Sequence, residues 1–321
     1  MIMLQPQVVA AAARRLDGIA NQTPVFQSTT LNERSGGQVF LKGEHLQRVG
    51  AFKFRGAFNA VSQLSDAQQA AGVITHSSGN HAQGLALAAK LCGAPATIVM
   101  PDNAPAVKKA ATAGYGATIV ECPAAEREAV SGRLAAEHGY TLIHPYDNDQ
   151  IIAGAGTAAY ELLAEVGDLD YLLAPVGGGG LISGTALGAA LQSPGCKVIG
   201  VEPEVADDAT RSWRSGEVVT LDAIPPTIAD GLRTRFIGQR NLEIMRHYLH
   251  DMVTVSEKEI ILTLKFLWER MKLLVEPSSA VAVAPLLYGD LPLAGQRVGV
   301  ILSGGNADIQ LVARKFAELD V

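Results

Sequence analysis

The chain has 321 residues, of which 48% are hydrophobic and 18% charged, so it has ample material for a core and is not intrinsically disordered. At about 150 residues per domain, the length predicts two domains or one large one. The 26 Lys and Arg residues against 32 Asp and Glu give a net charge of −6, which argues against a nucleic-acid partner. No apolar run approaches the roughly 18 residues of a membrane-spanning helix, and no secretory signal is visible. Cys92, Cys122 and Cys196 lie far apart and predict reduced thiols in a cytosolic protein.

Short apolar runs recur along the chain, most of them followed by a turn and a stretch of helix length. The runs predict strands at 73–75, 96–100, 117–120, 141–143, 171–176, 197–201 and 297–302. Helical patterns predict helices at 81–91, 106–113, 126–138, 151–166 and 181–191. Because the runs are nearly continuous in apolar residues, we expect strands covered on both faces, in an α/β fold with largely parallel sheets.

The spacing of the runs predicts two sheets. The first four runs follow one another closely, whereas the last three are spread out and interrupted by the long stretch 203–296. Two sheets imply two lobes with a cleft between them, each lobe a largely parallel twisted sheet flanked by helices.

Four successive glycines, Gly177–Gly180, follow a predicted strand and open a predicted helix. Without Cβ atoms, several backbone N–H groups can converge on one anion at the helix N-terminus, which predicts a phosphate cradle; a flexible turn is the alternative. The loop is neither a P-loop nor a dinucleotide fingerprint. One loose match to that fingerprint, at Gly154, Gly156 and Ala159, follows no convincing strand, which argues against a nicotinamide-dependent dehydrogenase.

Two further polar loops follow predicted strands. The segment 77–81, Ser-Ser-Gly-Asn-His, stands at a strand–helix junction, where hydroxyls and free amides suit a carboxylate; a simple helix N-cap is the alternative. The segment 303–306 is a loop of the same kind after the last strand. Loops at the carboxyl ends of strands converge on one crevice in open α/β sheets, so we expect one ligand site there.

Lys53 stands between two aromatic residues, Phe52 and Phe54. A lysine in an apolar slot loses its charge more easily and becomes a nucleophilic amine. A surface lysine whose stem lies along apolar neighbours is the alternative. The sequence therefore offers Lys53 as a candidate nucleophile.

Motifs containing these residues span nearly the whole chain. They are Asn21–Val25, Gly50–Gly56, Ser77–His81, Pro175–Gly180, Val201–Pro203, Thr227–Gly231, Glu269–Lys272 and Ser303–Asn306. In this order the set resembles the serine/threonine dehydratase and serine racemase family of pyridoxal-phosphate (PLP) enzymes, the fold-type-II or tryptophan-synthase-β-like group. The resemblance implies a two-lobed α/β fold with a large PLP-binding domain, 1–70 and 149–321, and a small mobile domain, 71–148.

The resemblance also implies roles for single residues. Lys53 resembles the lysine that binds PLP covalently and takes the substrate Cα proton, and Ser78 resembles the residue on the opposite face. The implied cofactor contacts are Phe52 at the ring, Asn80 at the phenolic oxygen, Ser303 at the pyridine nitrogen, and Gly177, Gly178, Gly179 and Gly180 at the phosphate. The implied contacts of the substrate α-carboxylate are Ser77, Ser78, Asn80 and His81. A neutral Ser303 suits β-elimination better than transamination.

An acidic segment resembles the family's divalent-cation site. The implied ligands of Mg²⁺, Ca²⁺ or Mn²⁺ are Glu202, the Ala206 carbonyl and Asp208, which offer the oxygen atoms that hard cations prefer; a solvated acidic loop is the alternative. The resemblance further implies a homodimer that acts on a small amino acid. The cysteines, the charge and the hydropathy given above predict a cytoplasmic protein without a nucleic-acid or membrane partner. Because the chain ends soon after Gly305, no regulatory ACT domain is expected.

The implied reaction is the deamination of a β-hydroxy amino acid (L-serine, L-threonine or 3-hydroxyaspartate) to a 2-oxo acid and ammonia. Hydroxyaspartate needs a cation for its second carboxylate, and Arg127 is a candidate, with a solvated helix-face arginine as the alternative. Racemisation of serine or aspartate, in which Ser78 returns a proton to Cα, is the alternative reaction. A non-catalytic PLP-binding protein is expected to lose Lys53 or Ser78, and both are present.

Overall fold

Each of the seven predicted runs forms a strand in the computed structural model, which describes residues 3–319. The strands of this range are β1 (Val25–Phe26), β2 (Gln38–Gly43), β3 (Val73–His76), β4 (Ala96–Pro101), β5 (Thr118–Cys122), β6 (Thr141–Leu142), β7 (Tyr171–Pro175), β8 (Lys197–Pro203), β9 (Asp251–Val255) and β10 (Arg297–Leu302). The helices are α1 (Gln7–Leu16), α2 (Thr29–Ser35), α3 (Lys53–Val61), α4 (Asp66–Ala71), α5 (Asn80–Cys92), α6 (Ala106–Gly114), α7 (Arg127–His138), α8 (Asp149–Val166), α9 (Gly180–Gln192), α10 (Asp208–Ser215), α11 (Gln239–Tyr248), α12 (Glu257–Glu269), α13 (Pro277–Val281), α14 (Ala284–Tyr288) and α15 (Ile309–Leu319). None of these helices is long and apolar enough to cross a membrane.

The strands form two sheets, as predicted. The larger has the order β1-β2-β10-β7-β8-β9, in which β1 runs antiparallel to β2 and every other pair is parallel. The smaller is parallel, with the order β5-β4-β3-β6. The prediction missed β1, β2 and β9, so the larger sheet is wider than expected. Strand β10 lies at its centre, with Val300 opposite both Leu41 and Leu173.

Helices cover both faces of the larger sheet, which explains its continuous apolar runs. Leu173 and Val300 pack on one face with residues of α12, α13 and α14. Leu172 and Val198 pack on the other face with residues of α8 and α9. The expectation of two covered faces is wrong for β5, where only Cys122 is buried, because β5 is an edge strand.

Helix α8 packs against α3 on one side and α9 on the other, with glycines at both contacts. A Cβ on Gly154 would lie 2.6 Å from the Arg55 carbonyl oxygen, and one on Gly156 would lie 2.4 Å from the Gly184 carbonyl oxygen. The loose fingerprint match at Gly154 and Gly156 is therefore a helix-packing feature, since neither position has room for a side chain.

A buried ion network lies beside β2. The Lys42 ammonium lies 2.9 Å from the Glu161 carboxylate and donates to the Thr23 carbonyl at 2.7 Å. Arg55 pairs with both Glu161 and Glu44, and the side chains of Lys42, Arg55 and Glu44 are fully buried. These charges are tolerated inside the protein because each has an opposite partner and further hydrogen bonds.

The core of the smaller sheet includes part of α3. Phe54 and Ala57 pack with Val73, Leu85 and Ile98 in one apolar cluster. The cluster thus contains residues from both sides of position 70, the predicted domain boundary. The domain boundaries named above stay a prediction. Cys92, Cys122 and Cys196 are free thiols, as expected.

Candidate active site

The glycine loop connects the end of β7 to the start of α9. Gly179 has a φ of 94°, in the left-handed region, and the thirteen-residue helix α9 begins at Gly180. A Cβ on Gly178 would lie 2.2 Å from the Tyr146 ring, and one on Gly179 would lie 2.7 Å from Asn241 Cβ. Both positions therefore require glycine, and the backbone N–H groups at the start of α9 are available to an anion.

Lys53 is the first residue of α3. Its Nζ donates a hydrogen bond to the Pro145 carbonyl at 2.9 Å and lies 5.1 Å from the centre of the Phe52 ring. Burial lowers the pKa of Lys53 to about 8, although the Glu276 carboxylate acts in the opposite direction. Phe54 points into the core instead, so one of the two neighbouring aromatic rings lines the amine. At pH 8 about half of the Lys53 amine is neutral.

The loop after β3 leads into α5. Ser77 Oγ accepts the N–H of Gly79 at 3.3 Å, whereas Ser78 Oγ makes no hydrogen bond within residues 3–319. The His81 imidazole is buried, and its Nε2 lies 3.3 Å from the Ile143 carbonyl oxygen. Burial holds the pKa of His81 far below its usual value, so the ring is neutral. A carboxylate at this loop would meet hydroxyls and backbone N–H groups rather than the imidazole.

A buried carboxylate joins two of the predicted loops. Asn80 Nδ2 donates to Glu276 at 3.0 and 3.1 Å, and the Asn306 backbone N–H donates to the same carboxylate at 3.2 Å. Asn306 Nδ2 also donates to Asn80 Oδ1 at 2.8 Å. Burial raises the pKa of Glu276 to about 7, so the group is partly protonated near neutrality. The structure thus brings the 77–81 and 303–306 loops together.

Ser303 follows β10 and is buried. Its carbonyl accepts the Phe52 N–H at 3.0 Å, which places the end of β10 beside the start of α3. Its Oγ lies 3.2 Å from Ser279 Oγ, which itself donates to the Gly304 carbonyl at 2.7 Å. Because the Ser279 proton is committed to Gly304, the Ser303 hydroxyl is the donor in the contact between the two serines.

The segment before α8 carries a neutral histidine and a tyrosine. His144 Nδ1 accepts the N–H groups of Asp147 at 2.9 Å and Tyr146 at 3.4 Å, so its proton is on Nε2. Burial and the nearby His76 and Lys53 lower the pKa of His144 to about 4. His144 thus offers an uncharged N–H donor to its surroundings.

The predicted cation ligands lie at the end of β8 and the start of α10. Glu202 is buried and accepts the N–H groups of Ala209 at 3.1 Å and Thr210 at 2.7 Å. Asp208 Oδ2 is buried without a hydrogen-bond partner. Within residues 3–319 no three His, Cys, Asp or Glu side chains form a cluster, so a cation here depends on the Ala206 carbonyl and on water.

Arg127 begins α7 and is partly buried. Its Nε donates to the Ala124 carbonyl at 2.9 Å, and it has no carboxylate partner in the described part of the chain. Burial lowers the pKa of His76 and raises the pKa of Tyr146, and the positive charge of Arg127 acts on both groups in the direction of a lower pKa.

Comparison with known proteins gives the family. Residues 16–304 match the family model described as pyridoxal-phosphate dependent enzyme. The chain belongs to this family.

It is 53% identical over 307 residues to an L-threo-3-hydroxyaspartate ammonia-lyase of Saccharomyces cerevisiae, covering 95% of this chain and 94% of that protein. It is 50% identical over 313 residues to a Pseudomonas protein of the same name, covering 97% of each. The crystal structure of serine racemase from Dictyostelium discoideum matches with a TM-score of 0.90 and 42% identity, covering 95% of this chain and 99% of that one.

The family result confirms the predicted fold-type-II PLP class, and the site fits that cofactor. The glycine loop has no side chains of its own, so the backbone N–H groups at the start of α9 can face a phosphate. Lys53 supplies an amine with a lowered pKa, as a covalent link to the cofactor aldehyde requires.

Several residues of the site were not predicted from the sequence: Glu276, His144, Tyr146 and Asn241. Glu276 and Asn241 lie far along the chain from their partners; Asn80 and Glu276, for example, are 196 positions apart. The one local signal was Glu276, which directly precedes a proline at the start of α13 and has no basic neighbour in sequence.

Proposed function

We propose that the chain is a PLP-dependent ammonia-lyase that converts L-threo-3-hydroxyaspartate to oxaloacetate and ammonia. The observation that carries the proposal is Lys53, an amine with a pKa of about 8. Lys53 is connected to the glycine loop through Pro145 and Tyr146, and to Ser303 through Phe52. The two relatives at 50% identity or more share the name of this ammonia-lyase, which favours hydroxyaspartate over serine and threonine.

The chemistry divides among few groups. When bound, PLP supplies the electron sink that makes the Cα proton of an amino acid acidic. Lys53 takes that proton, since its neutral form is well populated near pH 8. Ser303, which would face the ring nitrogen, is a neutral hydroxyl and would not stabilise a proton on that nitrogen as an aspartate would, which favours loss of the β-hydroxyl over transamination. Phe52 would contact the ring of the cofactor, Asn80, which also donates to Glu276, would contact its phenolic oxygen, and the backbone of Gly177–Gly180 would hold its phosphate.

Two anion sites are needed for hydroxyaspartate. The α-carboxylate is assigned to Ser77, Ser78 and the backbone N–H groups of Asn80 and His81 at the start of α5. The second carboxylate is assigned to Arg127, because most of its N–H donors are uncommitted among the described residues.

A product screen tests the proposal. The purified protein is incubated with L-serine, L-threonine and both L diastereomers of 3-hydroxyaspartate, and 2-oxo acid and ammonia are measured. We expect the highest kcat/KM with L-threo-3-hydroxyaspartate, and reduction with borohydride should fix the cofactor to a peptide containing Lys53. A protein that binds PLP but releases no 2-oxo acid from any of these substrates contradicts the proposal.

Racemisation of serine or aspartate is the second candidate. It is favoured by the unpartnered Ser78 hydroxyl, which is free to exchange a proton with Cα, and by the likeness to a serine racemase. Ser78→Ala should lower D-serine formation by more than about tenfold and affect elimination of L-serine less, because Lys53 takes that proton. Chiral separation alongside coupled pyruvate release makes the measurement. An equal fall in both activities would reduce Ser78 to a carboxylate-binding residue.

A divalent cation, Mg²⁺, Ca²⁺ or Mn²⁺, is proposed at Glu202, the Ala206 carbonyl and Asp208. The support is the buried Asp208 Oδ2 without a partner, because such an oxygen is costly unless a ligand or water satisfies it. Exhaustive chelation should lower Tm, and added Mg²⁺ or Ca²⁺ should restore it. At a cation concentration of 100 times Kd the stabilisation is about 2.7 kcal/mol. A Tm that responds to neither treatment argues against the cation.

A homodimer is proposed, with the exposed apolar side chains around Gly305 as its interface. Leu46, Leu274 and Ile309 are exposed at 50%, 53% and 50%. Gly305 lies against the Leu274 carbonyl and His45, which brings these segments together. Light scattering should give twice the 33.7 kDa chain mass, and a Leu274→Lys variant should shift the protein toward the monomer. The cytoplasmic location stays a prediction based on the three free thiols.

A further inference from the structure

A buried amide on α11 links the glycine loop to the segment beside Lys53. Asn241 is fully buried. Its Nδ2 donates two hydrogen bonds, one to the Gly178 carbonyl at 2.9 Å and one to the Tyr146 carbonyl at 3.1 Å. The chemistry assigned above to the glycine loop and Lys53 does not use this residue.

The hydrogen bond to Gly178 determines how one peptide unit of the glycine loop is oriented. The Gly178 carbonyl and the Gly179 N–H belong to the same trans peptide and point in opposite directions. Asn241 Nδ2 and the Gly238 N–H, at 3.1 Å, both draw the carbonyl toward α11. The Gly179 N–H is thereby turned away from α11. Gly178 and Gly179 have no Cβ atoms to restrict the rotation of this peptide, so its orientation depends on the hydrogen bonds to its carbonyl.

The second hydrogen bond fixes the segment that contacts the lysine. Tyr146 follows Pro145, whose carbonyl accepts the Lys53 Nζ hydrogen bond. The same segment is tied to the start of α11 a second time, because Asp147 Oδ1 accepts the Arg240 N–H at 3.1 Å. Asn241 therefore contacts both of the backbone segments between which a phosphate and a lysine-bound aldehyde would have to fit.

The way Asn241 is bonded favours a positioning role over a stabilising one. Its Oδ1 is buried without a hydrogen-bond partner, which costs free energy in the folded chain. Asparagine is also a poor helix former. What asparagine provides at this position is two N–H donors, which are directed at two loop carbonyls.

We propose that Asn241 is a positioning residue that holds the 178–179 peptide with its N–H directed toward the PLP phosphate. The inference rests on the proposed cofactor site. It predicts that loss of the Asn241 amide weakens binding of the phosphate more than binding of the aldehyde, because the segment beside Lys53 stays tied to α11 through the Asp147 carboxylate and the Arg240 N–H.

The test compares two probes that differ by the phosphate alone. Apo-protein of the wild type and of Asn241→Leu, which removes both donors without adding charge, is titrated with PLP and with pyridoxal. We expect the Kd for PLP to rise by about ten- to a hundredfold in the variant, the effect of one lost hydrogen bond to a charged group. The Kd for pyridoxal should stay within about threefold. Equal losses for the two probes overturn the proposal, since general damage would affect both.

The matched control is Ser183→Ala. Ser183 is also buried, and its Oγ donates to the Asn241 backbone carbonyl at 3.4 Å, so the variant removes a polar group next to Asn241 without touching its amide. Both Kd values should match the wild type. A phosphate-specific loss in Ser183→Ala would show that any change near Asn241 weakens PLP binding, and would overturn the specific role of the amide.

A measurement on the unmodified protein covers the case in which Asn241→Leu does not fold. The wild-type apo-protein is labelled with ¹⁵N-glycine and titrated with inorganic phosphate. The Gly179 amide proton should move downfield with phosphate, as expected of an N–H that donates to an anion. A Gly179 resonance that does not move overturns the proposal even if PLP binds. Failure of the wild type to bind PLP refutes the proposed cofactor site instead.

Discussion

The glycine loop and the loop after β3 occupy corresponding places in the two sheets, yet they are built differently. The glycine loop is closely packed: a Cβ on Gly178 would lie 2.2 Å from the Tyr146 ring. In the other loop a Cβ on Gly79 would meet nothing within 4 Å, and Ser78 has no hydrogen-bond partner in the described chain. Packing thus fixes the part assigned to the cofactor, whereas the part assigned to the substrate keeps free space. The relatives reported above carry the names of different reactions, which fits this division.

The largest expected effect comes from Lys53, which lies between the two regions. Lys53→Ala should lower kcat by about 10² to 10⁴-fold or more, because it removes both the proton acceptor and the covalent link to the cofactor. Steady-state rates and borohydride fixation make the measurement. Lys109→Ala is the control, since Lys109 pairs with Glu121 on the smaller sheet and should leave both readouts unchanged. A variant without Lys53 that still fixes the cofactor covalently would move the link to another lysine.

A pair of glycine substitutions tests the comparison directly. Gly178→Ala forces a methyl group against Tyr146 and should cost about 1–3 kcal/mol by overpacking, with weaker retention of PLP. Gly79→Ala adds the same methyl group in open space, at a φ of −117° that alanine accepts, so stability and PLP affinity should change little. Tm and PLP titration of both variants decide the matter. If the two substitutions are equally damaging, the two loops are equally packed and the comparison fails.

The open region should control the choice of substrate. Arg127→Gln should raise KM for hydroxyaspartate by about ten- to a hundredfold, because one charge-assisted contact is lost, and should leave KM for L-serine nearly unchanged. Arg133→Gln is the matched control on the same helix, since Arg133 is exposed and lies near Glu137. Equal changes of KM for both substrates would remove Arg127 from the second carboxylate site.

The smallest and most graded effect is the pH dependence of cofactor uptake. Burial lowers the pKa of Lys53 from 10.5 to about 8, and only the neutral amine attacks the cofactor aldehyde. The rate at which apo-protein takes up PLP should therefore fall tenfold per pH unit below about pH 8 and level off above it. Glu276→Gln should move the midpoint to lower pH, because the Glu276 charge raises the pKa of Lys53. A rate that still rises beyond pH 10 would indicate an ordinary exposed lysine.

Sequence patterns predicted the fold where burial is uniform. Strands β3, β4, β7, β8 and β10 are almost wholly buried, and their apolar runs were visible. Strand β2 was missed because Lys42 interrupts its apolar run. That lysine can be buried because it pairs with the Glu161 carboxylate and donates a hydrogen bond to the Thr23 carbonyl. Its partners lie far away in sequence. Strand β9 was missed because its burial is irregular.

The candidate site also has residues that the sequence predicted and residues that it did not. The glycine loop and Lys53 were visible because their chemistry is local: consecutive glycines, and a lysine beside aromatic rings. Glu276 and Asn241 were not visible, because each acts through hydrogen bonds to residues on other elements. A single sequence does not show such pairings, and the pKa shifts that follow from burial depend on the fold.

The glycine contacts of α8 have a consequence for the size of the molecule that the site accepts. Helix α8 lies directly against α3, which begins with Lys53, and against α9, which begins at the glycine loop. The distance from Lys53 to the proposed phosphate site is therefore set by two interhelical spacings, each as short as a glycine allows. Lengthening either spacing by a single methyl group would change the span that the cofactor must bridge, although no residue of the site itself had been altered. The backbone-to-backbone packing of α3, α8 and α9 therefore limits the length of the molecule that fits between Lys53 and the glycine loop.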